Sequence, residues 1–435
     1  MIKVAFASLG CSKNLVDTEH MMGALRDAGY IVGVAEADAD VIVVNTCCFI
    51  ESAKEESTAT ILELAENKKG CCRAIVVTGC MAARYKEELL KEFPDVDIVA
   101  AIGSDIVLSV KDALAGVRKF ESALNEANTR RIRTTPPYTA YLKISDGCDN
   151  HCTYCVIPSL RGKYKSRSIE NICHEAKELC DSGVKELIVI AQDTTAYGID
   201  LYGEDALPKL LSELVKLDVH WIRLHYCYPE RITDELIDII AREDKICKYI
   251  DMPIQHCNDD ILRRMGRKGN SAELITLINK LRTKVEGVFL RTTLIVGFPG
   301  ESEEQFGELL EFVKKMSFER LGVFEYSQED GTPAARFEEQ ISSDLKHKRY
   351  DSIMQTQIEI MNQNSEKYME KIVEVLVEGY DAESNFYIGR SYADSIDIDG
   401  QVFFESKRQI AQGEFVYVKL DGFRDYDFWG VEVGK

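Results

Sequence analysis

Apolar runs with the composition of buried strands alternate with helical patterns along most of the chain. Within residues 1–117 the strand-like runs are IKVAFASLG, DVIVVNT and RAIVVTG, and a helical pattern follows each of the first two. Apolar strands separated by helices predict a parallel sheet that is covered by helices on both faces. Residues 1–117 are therefore expected to form an N-terminal parallel-sheet domain of an α/β protein.

Each of these three strand runs leads directly into a cysteine, namely Cys11, Cys47 and Cys80. Functional groups of open parallel sheets gather outside the carboxyl ends of the strands, so the three thiols are expected to share one edge. The alternative is that they are small buried apolar side chains, as free cysteines often are. Three equivalent placements at strand ends favour a ligand role.

The rest of the chain divides by its pattern into a linker and two further domains. Residues 118–133 are polar and lack periodicity, which indicates a linker. Residues 134–364 contain six more strand-like runs with helices between them: YLKIS, ELIVIAQ, WIRLHY, YIDMPIQ, FLRTTLIVG and LGVFEYS. Six β/α units are fewer than the eight of a closed TIM barrel, so we predict a partial (β/α)6 TIM-like barrel.

The hydrophobic pattern changes to a period of two near the carboxyl end. In residues 367–433 the runs KIVEVLVEG, FYIGRSY, DSIDIDG, GEFVYVKLDG and DFWGVEV predict a small antiparallel β-barrel of five strands. From residue 372 onward there are thirteen acidic side chains and six basic ones, a net charge of −7.

Composition narrows the class of protein. The 435 residues are enough for about three domains. The sequence has no apolar run of about 20 residues and no cleavage pattern at its start, so we expect a cytoplasmic protein without a membrane span. In a reducing compartment the 14 cysteines are expected to bind metal or to pack rather than to form disulfides. The net charge of −20 disfavours nucleic acid and favours a basic partner.

Three cysteines with the spacing C-x3-C-x2-C, Cys148, Cys152 and Cys155, form the most specific motif. A structural zinc site needs four ligands, and His151 is a poor fourth because zinc pairs are usually followed by a second pair downstream. An iron–sulfur cluster with four thiolates needs another cysteine nearby. Three thiolates leave one iron of a cubane open, and S-adenosylmethionine can chelate that iron through its amino and carboxylate groups.

These motifs carry a family resemblance. The three spaced cysteines with Tyr154 resemble the signature of radical S-adenosylmethionine enzymes, and LGCSKN, NTCCFI and TGC resemble the N-terminal domain of the methylthiotransferases. The acidic terminal barrel resembles their TRAM domain. The stretches most similar to the branch acting on ribosomal protein S12 are GCSKNLVDTE, NTCCFIESAKEES, ISDGCDNHCTYCVIPSLRGKYKSR, AQDTTAYG and MPIQHCND. The tRNA-modifying branches more often read GCQMN or GCKVN at the first motif.

The resemblance implies two [4Fe-4S] clusters, the first on Cys11, Cys47 and Cys80 and the second on the signature cysteines. It implies that one S-adenosylmethionine methylates a sulfur on the first cluster and that a second one gives a radical that takes hydrogen from carbon. The product would carry –SCH3 on the β-carbon of an aspartate of ribosomal protein S12, free or on the small ribosomal subunit. A one-electron reductant such as flavodoxin or ferredoxin would be the other partner. No catalytic side chain is expected beyond the cluster ligands.

In addition to Tyr154, four residues are candidates for binding S-adenosylmethionine. Gln192 and Asp193, in AQD, stand where radical enzymes often have Gly-Gly-Glu. Ile295 and Gly297, in TLIVGFPGE, fit a Gly-x-Ile-x-Gly-x-x-Glu pattern in part, with Glu301 one place late. The alternative for the second stretch is an ordinary connection from a strand through a turn to a helix.

Two alternatives to the leading function remain open from the sequence. One is a tRNA adenosine methylthiotransferase with the same chemistry, and the other is an iron–sulfur electron carrier or redox sensor. The six β/α units and the terminal module argue against a carrier, which needs neither. The basic run RGKYKSR, residues 161–167, can be a solvated loop, can bind a carboxylate or can contact RNA.

Overall fold

The computed structural model describes residues 1–121 and 131–434. The chain divides into two compact units. The first unit comprises Met1–Thr135, Asp146–Lys165 and Ser327–Ala335, and the second comprises Pro136–Ser145, Ser166–Tyr326 and Arg336–Lys435. Most of the predicted linker 118–133 lies outside the described residues. The signature cysteines thus belong to the same compact unit as the N-terminal sheet.

The first unit is built on a parallel sheet of six strands. In chain order the strands are β1 (Lys3–Ser8), β2 (Ile31–Val32), β3 (Val41–Thr46), β4 (Ala74–Gly79), β5 (Ile98–Ala100) and β6 (Lys119–Glu121). Their order across the sheet is β2-β1-β3-β4-β5-β6, and every pairing is parallel. The predicted sheet is confirmed, and β6 is a strand within the segment predicted to be a linker.

Helices cover this sheet because its strands are apolar on both faces. Two separate clusters of buried apolar side chains occupy the two faces, as expected for a parallel sheet. The helices are α1 (Ser12–Asp27), α2 (Glu51–Ala65), α3 (Cys80–Tyr85), α4 (Glu87–Glu92) and α5 (Ile106–Leu114). Short 3-10 turns occur at Glu36–Asp38 and Glu66–Lys69.

The signature loop is bounded by a two-stranded ribbon and contains one short helix. The ribbon strands are β8 (Ser145–Asp146) and β9 (Lys165–Ser166), and the helix is α6 (Ile157–Arg161). The ribbon follows β7 (Thr139–Lys143), the first strand of the second sheet.

The second unit contains the predicted six-stranded parallel sheet. Its strands are β7, β10 (Glu186–Ile190), β11 (Trp221–Leu224), β12 (Ile246–Asp251), β13 (Phe289–Val296) and β14 (Arg320–Glu325). The order is β14-β13-β12-β11-β10-β7, and within the described residues the two outer strands do not pair with each other. The partial barrel predicted from six units is therefore confirmed.

Helices follow the strands of this sheet in chain order. They are α7 (Ile169–Asp181), α8 (Ile199–Tyr202), α9 (Leu207–Leu214), α10 (Asp234–Arg242), α11 (Asp259–Arg264), α12 (Ser271–Lys284), α13 (Glu303–Met316) and α14 (Ser343–Ser365). Short 3-10 turns lie at Thr194–Ala196, Pro229–Arg231 and Ala334–Arg336. None of the helices in the described ranges has the length and apolar character needed to cross a membrane.

A closed barrel of five strands ends the chain, as predicted. The strands are β15 (Ile372–Asp381), β16 (Phe386–Ser391), β17 (Val402–Glu405), β18 (Phe415–Arg424) and β19 (Asp427–Val433). The barrel is mostly antiparallel, but β17 and β19 pair in parallel. The predicted strand DSIDIDG is wrong, because residues 394–400 form a turn with Asp397 at φ +61° and the strand begins only at Val402.

A buried ion triad fastens this barrel to the second sheet. Glu186 on β10 accepts hydrogen bonds from Arg223 of β11 at 2.9 Å and from Arg390 of β16 at 2.7 Å, and all three side chains are almost completely buried. Burial by itself would raise the pKa of Glu186, but the two guanidinium groups lower it to about 2. The terminal barrel is thus joined to the central sheet by charges that water does not reach.

Two acidic residues of the terminal barrel also point inward. Asp394 pairs with Arg320 of β14 at 2.6 Å, and Asp399 accepts a hydrogen bond from the Tyr249 hydroxyl at 2.7 Å. The net charge of −7 therefore overstates the negative charge that the barrel presents to a partner. Arg390, a basic residue in the same count, is likewise turned inward.

The ion triad predicts a stability effect that depends on pH. Glu186→Gln removes the carboxylate that Arg223 and Arg390 share, although Arg390 keeps a second ion pair with Glu378 at 2.8 Å. We therefore expect the second unit to lose about 3 kcal/mol of unfolding free energy, the lower end of the cost of breaking a buried pair. Because the pKa of Glu186 is lowered from 4.5 to about 2, this difference from the wild type should be full above pH 4.5 and should shrink as the pH falls toward 2.

Tryptophan fluorescence in a denaturant titration measures this effect, since Trp221 and Trp429 both lie in the second unit. A matched control is Asp181→Asn, which removes an exposed ion pair with Lys177 on α7 and should leave the transition nearly unchanged. Equal transitions for Glu186→Gln and the wild type at pH 7 would contradict the role of the triad.

Candidate metal centres

The three thiols of the N-terminal domain lie at the carboxyl ends of three adjacent strands. Cys11 follows β1 and precedes α1, Cys47 follows β3, and Cys80 begins α3 directly after β4. Because β3 lies between β1 and β4, the three thiols share one edge of the sheet. The structure thus brings Cys11, Cys47 and Cys80 together at the predicted edge.

Two glycines allow the strand ends to approach this closely. A Cβ atom on Gly10, at φ +86°, would lie 2.6 Å from the Cβ of Cys47, and one on Gly79, at φ +91°, would lie 2.4 Å from the carbonyl oxygen of Thr46. Both positions also have backbone angles that favour glycine. Each glycine immediately precedes a cysteine, so the backbone turns exactly where a thiol has to be presented. Any larger residue would push the strand ends apart.

The side chain of Asn14 joins the same strand ends. Its Nδ2 donates to the carbonyl oxygens of Leu9 and Thr46, both at 3.0 Å, and its Oδ1 lies 3.9 Å from the Sγ of Cys80. One buried amide therefore contacts the residues at the ends of β1, β3 and β4. Sequence reasoning missed Asn14, although it stands three residues after Cys11 in the motif GCSKN.

Burial makes the thiolate forms of Cys47 and Cys80 costly. It raises the pKa of Cys47, and it raises the pKa of Cys80 to about 12 even though the nearby charge of Arg161 acts in the opposite direction. Cys11 and Cys47 add to the rise at Cys80, because neighbouring thiolates repel one another. A bound cationic group would reverse this preference, since metal ligation requires the thiolate.

The signature cysteines form a second group. Cys148 and Cys152 are buried, while Cys155 is half-buried and accepts a hydrogen bond at its Sγ from the backbone N–H of Ile157 at 3.5 Å. Burial raises the pKa of Cys155 to about 12, and the two other thiols of the motif contribute to this rise. The structure therefore places Cys148, Cys152 and Cys155 within electrostatic reach of one another. Tyr154, which stands between Cys152 and Cys155 in the sequence, is half-buried.

Backbone contacts close the signature loop. The N–H of Cys148 donates to the carbonyl of Gly162 at 3.2 Å. A Cβ on Gly147, at φ +75°, would lie only 2.1 Å from the carbonyl oxygen of Lys163. Ala334 in turn donates to the carbonyl of Thr153 at 2.9 Å. The loop is thus held from both ends and from a segment far along the chain.

The segment that includes Ala334 is fixed by a buried carboxylate. Glu329 is 2% exposed and accepts hydrogen bonds from Arg84 at 2.9 Å and from Ser327 at 2.7 Å. Lys54 lies 3.3 Å from the same carboxylate. Residues 327–335 are therefore bound to α2 and to α3. No local signal in the sequence identifies Glu329, because its two cationic partners, Arg84 and Lys54, precede it by more than 240 residues.

Within residues 1–121 and 131–434, no group of three or more His, Cys, Asp or Glu side chains has an arrangement that could hold a single metal ion. In an iron–sulfur cubane, by contrast, each thiolate binds a different iron. His151, the alternative zinc ligand, is exposed. Two sets of three thiols, with glycines where a Cβ would collide, match the donor set that such a cluster uses.

The candidate cofactor residues Gln192 and Asp193 lie at the carboxyl end of β10, in the second unit. Asp193 is fully buried, forms an ion pair with Arg231 and accepts a hydrogen bond from the Thr195 hydroxyl at 2.7 Å. Gln192 is half-buried. The carboxylate of Asp193 is therefore already neutralised by Arg231, a residue that sequence reasoning missed.

Ile295 and Gly297 lie at the carboxyl end of β13, so β11 and β12 separate them from Gln192 and Asp193. The N–H of Ile295 donates to the carbonyl of Gln255 at 2.8 Å. Gly297 has φ +69°, and a Cβ there would lie 2.4 Å from the Lys346 side chain. All four candidates face the same sheet edge, but they form two pairs rather than one cluster.

Glu301, just beyond this pair, is almost fully buried. Its Oε2 accepts the N–H of Phe298 at 3.0 Å. Burial raises its pKa to about 7, although Arg349 acts in the opposite direction. The GFPGE stretch is therefore a strand–turn–helix connection with a carboxyl group folded back onto its own turn.

Three segments of the chain match known families. Residues 3–101 match the uncharacterized protein family UPF0004, residues 142–313 match the radical SAM superfamily, and residues 371–433 match the TRAM domain. The three matches follow one another in the order in which the sequence predicts the domains.

Solved structures with a similar fold are radical S-adenosylmethionine enzymes. The methyltransferase TsrM from Kitasatospora setae, solved with cobalamin and a [4Fe-4S] cluster, is 15% identical with a TM-score of 0.57, covering 77% of this chain and 76% of its own. The cobalamin-dependent enzyme OxsB is 14% identical with a TM-score of 0.52, covering 82% of this chain and 56% of its own. At these identities the likeness shows the fold.

Curated relatives match from end to end. A ribosomal protein uS12 methylthiotransferase RimO from Lachnoclostridium phytofermentans is 50% identical over 437 residues, which cover 99% of each chain. The protein of the same name from Clostridioides difficile is 49% identical over 440 residues, 99% of this chain and 98% of its own. Identity at this level over the full length decides the family. The chain therefore belongs to the ribosomal protein uS12 methylthiotransferases of the radical S-adenosylmethionine superfamily.

Proposed function

We propose that this chain transfers a methylthio group to the β-carbon of an aspartate in ribosomal protein uS12, with S-adenosylmethionine and two [4Fe-4S] clusters as cofactors. The observation that carries the proposal is the pair of cysteine triads within one compact unit. A radical superfamily enzyme needs one such triad, and a second triad is what a sulfur-carrying cluster requires. The family membership supplies the substrate class.

In this proposal each triad has its own task. Cys148, Cys152 and Cys155 hold the cluster whose open iron binds S-adenosylmethionine, and Cys11, Cys47 and Cys80 hold the cluster that carries sulfur. When bound, the cofactors supply the radical and the methylthio group. The chain binds and orients them: Gly10 and Gly79 let the first thiols converge, and Gly147 lets the second loop close.

The side chains near the strand ends fit radical chemistry better than acid–base chemistry. Asp193 is neutralised by Arg231, and Glu301 is folded onto the backbone of its own turn. Hydrogen abstraction from carbon by a radical needs no general base, so ligands and positioning contacts suffice. The reaction does need an electron, for which we propose a one-electron reductant such as flavodoxin or ferredoxin, and reduced thiols, which a cytoplasmic location provides.

We further propose that the terminal barrel docks the ribosomal protein with its outer face. Ile388, Phe403 and Trp429 are cross-strand neighbours in one row on β16, β17 and β19, and they alternate with residues buried inside the barrel. The Phe403 and Trp429 rings stack with centroids 4.8 Å apart, and Phe386 meets Trp429 edge-on at 5.0 Å.

Exposed acidic residues lie on the same barrel as this aromatic row. Glu405 is exposed on the strand of Phe403 and Asp421 is exposed on β18, whereas Asp425, in the turn after β18, pairs with Arg424 at 3.1 Å. Aromatic side chains are enriched at protein interfaces, and exposed acidic residues attract a basic protein. The same residues would repel a phosphate backbone, so they favour a ribosomal protein over tRNA.

The two triads predict two separable clusters. Anaerobic reconstitution should load about eight iron atoms per chain, four for each cluster. Replacing Cys148, Cys152 and Cys155 together by alanine should remove half of the iron and leave the other half in place. Iron and sulfide assays measure this outcome. A wild-type chain that binds only about four irons, all lost in this variant, would contradict a cluster on Cys11, Cys47 and Cys80.

The two triads should also fail in different ways. Without the signature triad no radical can form, so we expect no 5′-deoxyadenosine from S-adenosylmethionine. Alanine at Cys11, Cys47 and Cys80 should leave some cleavage of S-adenosylmethionine but should abolish methylthio transfer. Chromatography of the nucleoside products beside mass spectrometry of the protein substrate separates the two. Cleavage that survives loss of the signature triad and disappears with the other triad would reverse the assignment.

The substrate is tested by offering the reconstituted enzyme purified uS12 and tRNA in parallel reactions. We expect a methylthio mass gain on one aspartate of uS12 and no 2-methylthioadenosine in tRNA. In the same assay Phe403→Ser combined with Trp429→Ser should raise the KM for uS12 at least tenfold with little change in kcat, because the variant weakens docking alone.

Ile358→Ser is the control for this pair of substitutions, since Ile358 is an exposed apolar residue on α14 of the same unit, outside the terminal barrel strands and distinct from the candidate cofactor residues. It should leave the KM unchanged. Methylthiolation of tRNA with no mass gain on uS12 would reject the proposed substrate. An unchanged KM in the double variant, with uS12 still modified, would reject only the docking face.

A further inference from the structure

The guanidinium group of Arg161 joins the signature loop to the N-terminal sheet. Arg161 ends α6, six residues after Cys155, and its side chain is 1% exposed. Its Nη1 donates to both carboxylate oxygens of Asp146, each at 3.0 Å, on the loop. Its Nη2 donates to Asp17 at 2.9 Å and to the Oδ1 of Asn14 at 2.6 Å, both on α1. One planar group therefore contacts two parts of the first unit at once.

The contact with Asn14 leads directly to the first triad. Asn14 Oδ1, which accepts from Arg161, is the atom that lies 3.9 Å from the Sγ of Cys80. The Nδ2 of the same amide donates to Leu9 and Thr46 at the ends of β1 and β3. The backbone carbonyl of Asn14 accepts a further hydrogen bond from Asn45 at 2.8 Å. A movement of Arg161 would therefore disturb all three strand ends that present thiols.

The charge of Arg161 is permanent. Burial would lower its pKa, but Asp17 and Asp146 raise it well above the ordinary value of arginine. Arg161 also lies within electrostatic reach of Cys80 and Cys11. Its positive charge compensates the two carboxylates beside a site where three thiolates are needed. Without it, the negative charge of those carboxylates would act more strongly on the first triad.

We propose that Arg161 is a positioning residue that sets the separation of the two clusters and the reduction potential of the first. The bidentate contact with Asp146 holds the signature loop, and the contacts with Asp17 and Asn14 hold the first triad. The basic run RGKYKSR thus begins with an arginine that binds carboxylates inside the protein. The inference rests on the proposed function, because it presupposes a cluster on each triad.

The test compares three variants of the reconstituted full-length protein. Arg161→Gln removes the positive charge and the planar guanidinium group with its two terminal nitrogens. Arg161→Lys keeps the positive charge but lacks that planar group. Asp17→Asn removes one neighbouring negative charge. The readouts are iron content, the midpoint potential of each cluster from redox titrations followed by electron paramagnetic resonance, and the magnetic coupling between the two reduced clusters. The triple-alanine variants assign each signal to its triad.

We expect Arg161→Gln to shift the reduction equilibrium of the first cluster at least tenfold toward the oxidised form, which is about 59 mV for a one-electron couple. Arg161→Lys should recover most of this shift but should still alter the magnetic coupling, because a single ammonium group cannot replace the planar guanidinium group. Asp17→Asn should shift the potential in the opposite direction, toward easier reduction. A purely structural role would not produce shifts of opposite sign.

Arg118→Gln is the control, because Arg118 lies in the same unit and donates to the backbone carbonyls of Val96 and Phe93 at 3.0 and 3.2 Å. It should leave both potentials unchanged. Potentials and coupling equal to the wild type in Arg161→Gln would overturn the inference, and so would shifts of the same sign in Arg161→Gln and Asp17→Asn. If Arg161→Gln fails to load iron, an unchanged potential in Asp17→Asn together with unchanged magnetic coupling in Arg161→Lys would overturn the inference.

The number of clusters in the wild type and the sensitivity of their potentials to Arg161 test two different claims. A wild-type chain with only one cluster would refute the two-cluster proposal itself. A wild-type chain with two clusters whose potentials are insensitive to Arg161 would refute the role of Arg161 alone.

Discussion

The close approach of three strand ends is the constraint on which the first unit depends. Thiols from residues 11, 47 and 80 can meet only if β1, β3 and β4 are adjacent and if their backbones turn tightly at the carboxyl edge. The sheet order satisfies the first condition. Gly10 and Gly79 satisfy the second, since a Cβ at either position would collide with the neighbouring strand end. The amide of Asn14 then occupies the remaining space between the strand ends. The backbone thus presents the three thiols at one edge of the sheet.

The same unit also contains the signature loop, so both cysteine triads belong to one compact unit. Arg161, Glu329 and the hydrogen bond from Ala334 to Thr153 all hold the loop region within the first unit. The separation of the triads is therefore set inside one compact body. In the proposed reaction, the methylthio group held at one triad would have to reach the substrate carbon activated at the other, so a fixed separation of the triads would serve that chemistry better than a flexible one.

Much of this fold could be predicted from the sequence because its signals are local. The apolar runs of the two parallel sheets appear as strands in the structure. The wrong prediction of a strand at DSIDIDG has a local cause too, because alternating isoleucine and aspartate have the period of two that is typical of a half-buried strand. In the structure Asp394 and Asp399 are instead held by Arg320 and Tyr249.

What the sequence could not reveal are partners that lie far apart along the chain. In the sequence, spacing and position after predicted strands identify the cysteines of the two triads. Arg161 is visible there only as part of a basic run, because no neighbouring residue indicates that Asp17 is its partner. Glu186 and Arg390 are separated by more than 200 residues, yet they form one buried ion pair. Such pairs are decided by the tertiary fold, and sequence periodicity has no access to them.

The net charge of the terminal barrel is a poor guide to its substrate, because some of the charged side chains are paired inside the second unit. Asp394, Asp399 and Arg390 are paired within the second unit, so they contribute little to the field outside the protein. In the proposed docking, the discrimination between a ribosomal protein and tRNA would depend on exposed acids such as Glu405 and Asp421 and on the aromatic row of the same barrel. These residues combine apolar contact area with negative potential. A basic protein can use both features, whereas a phosphate backbone would have to overcome the second to reach the first.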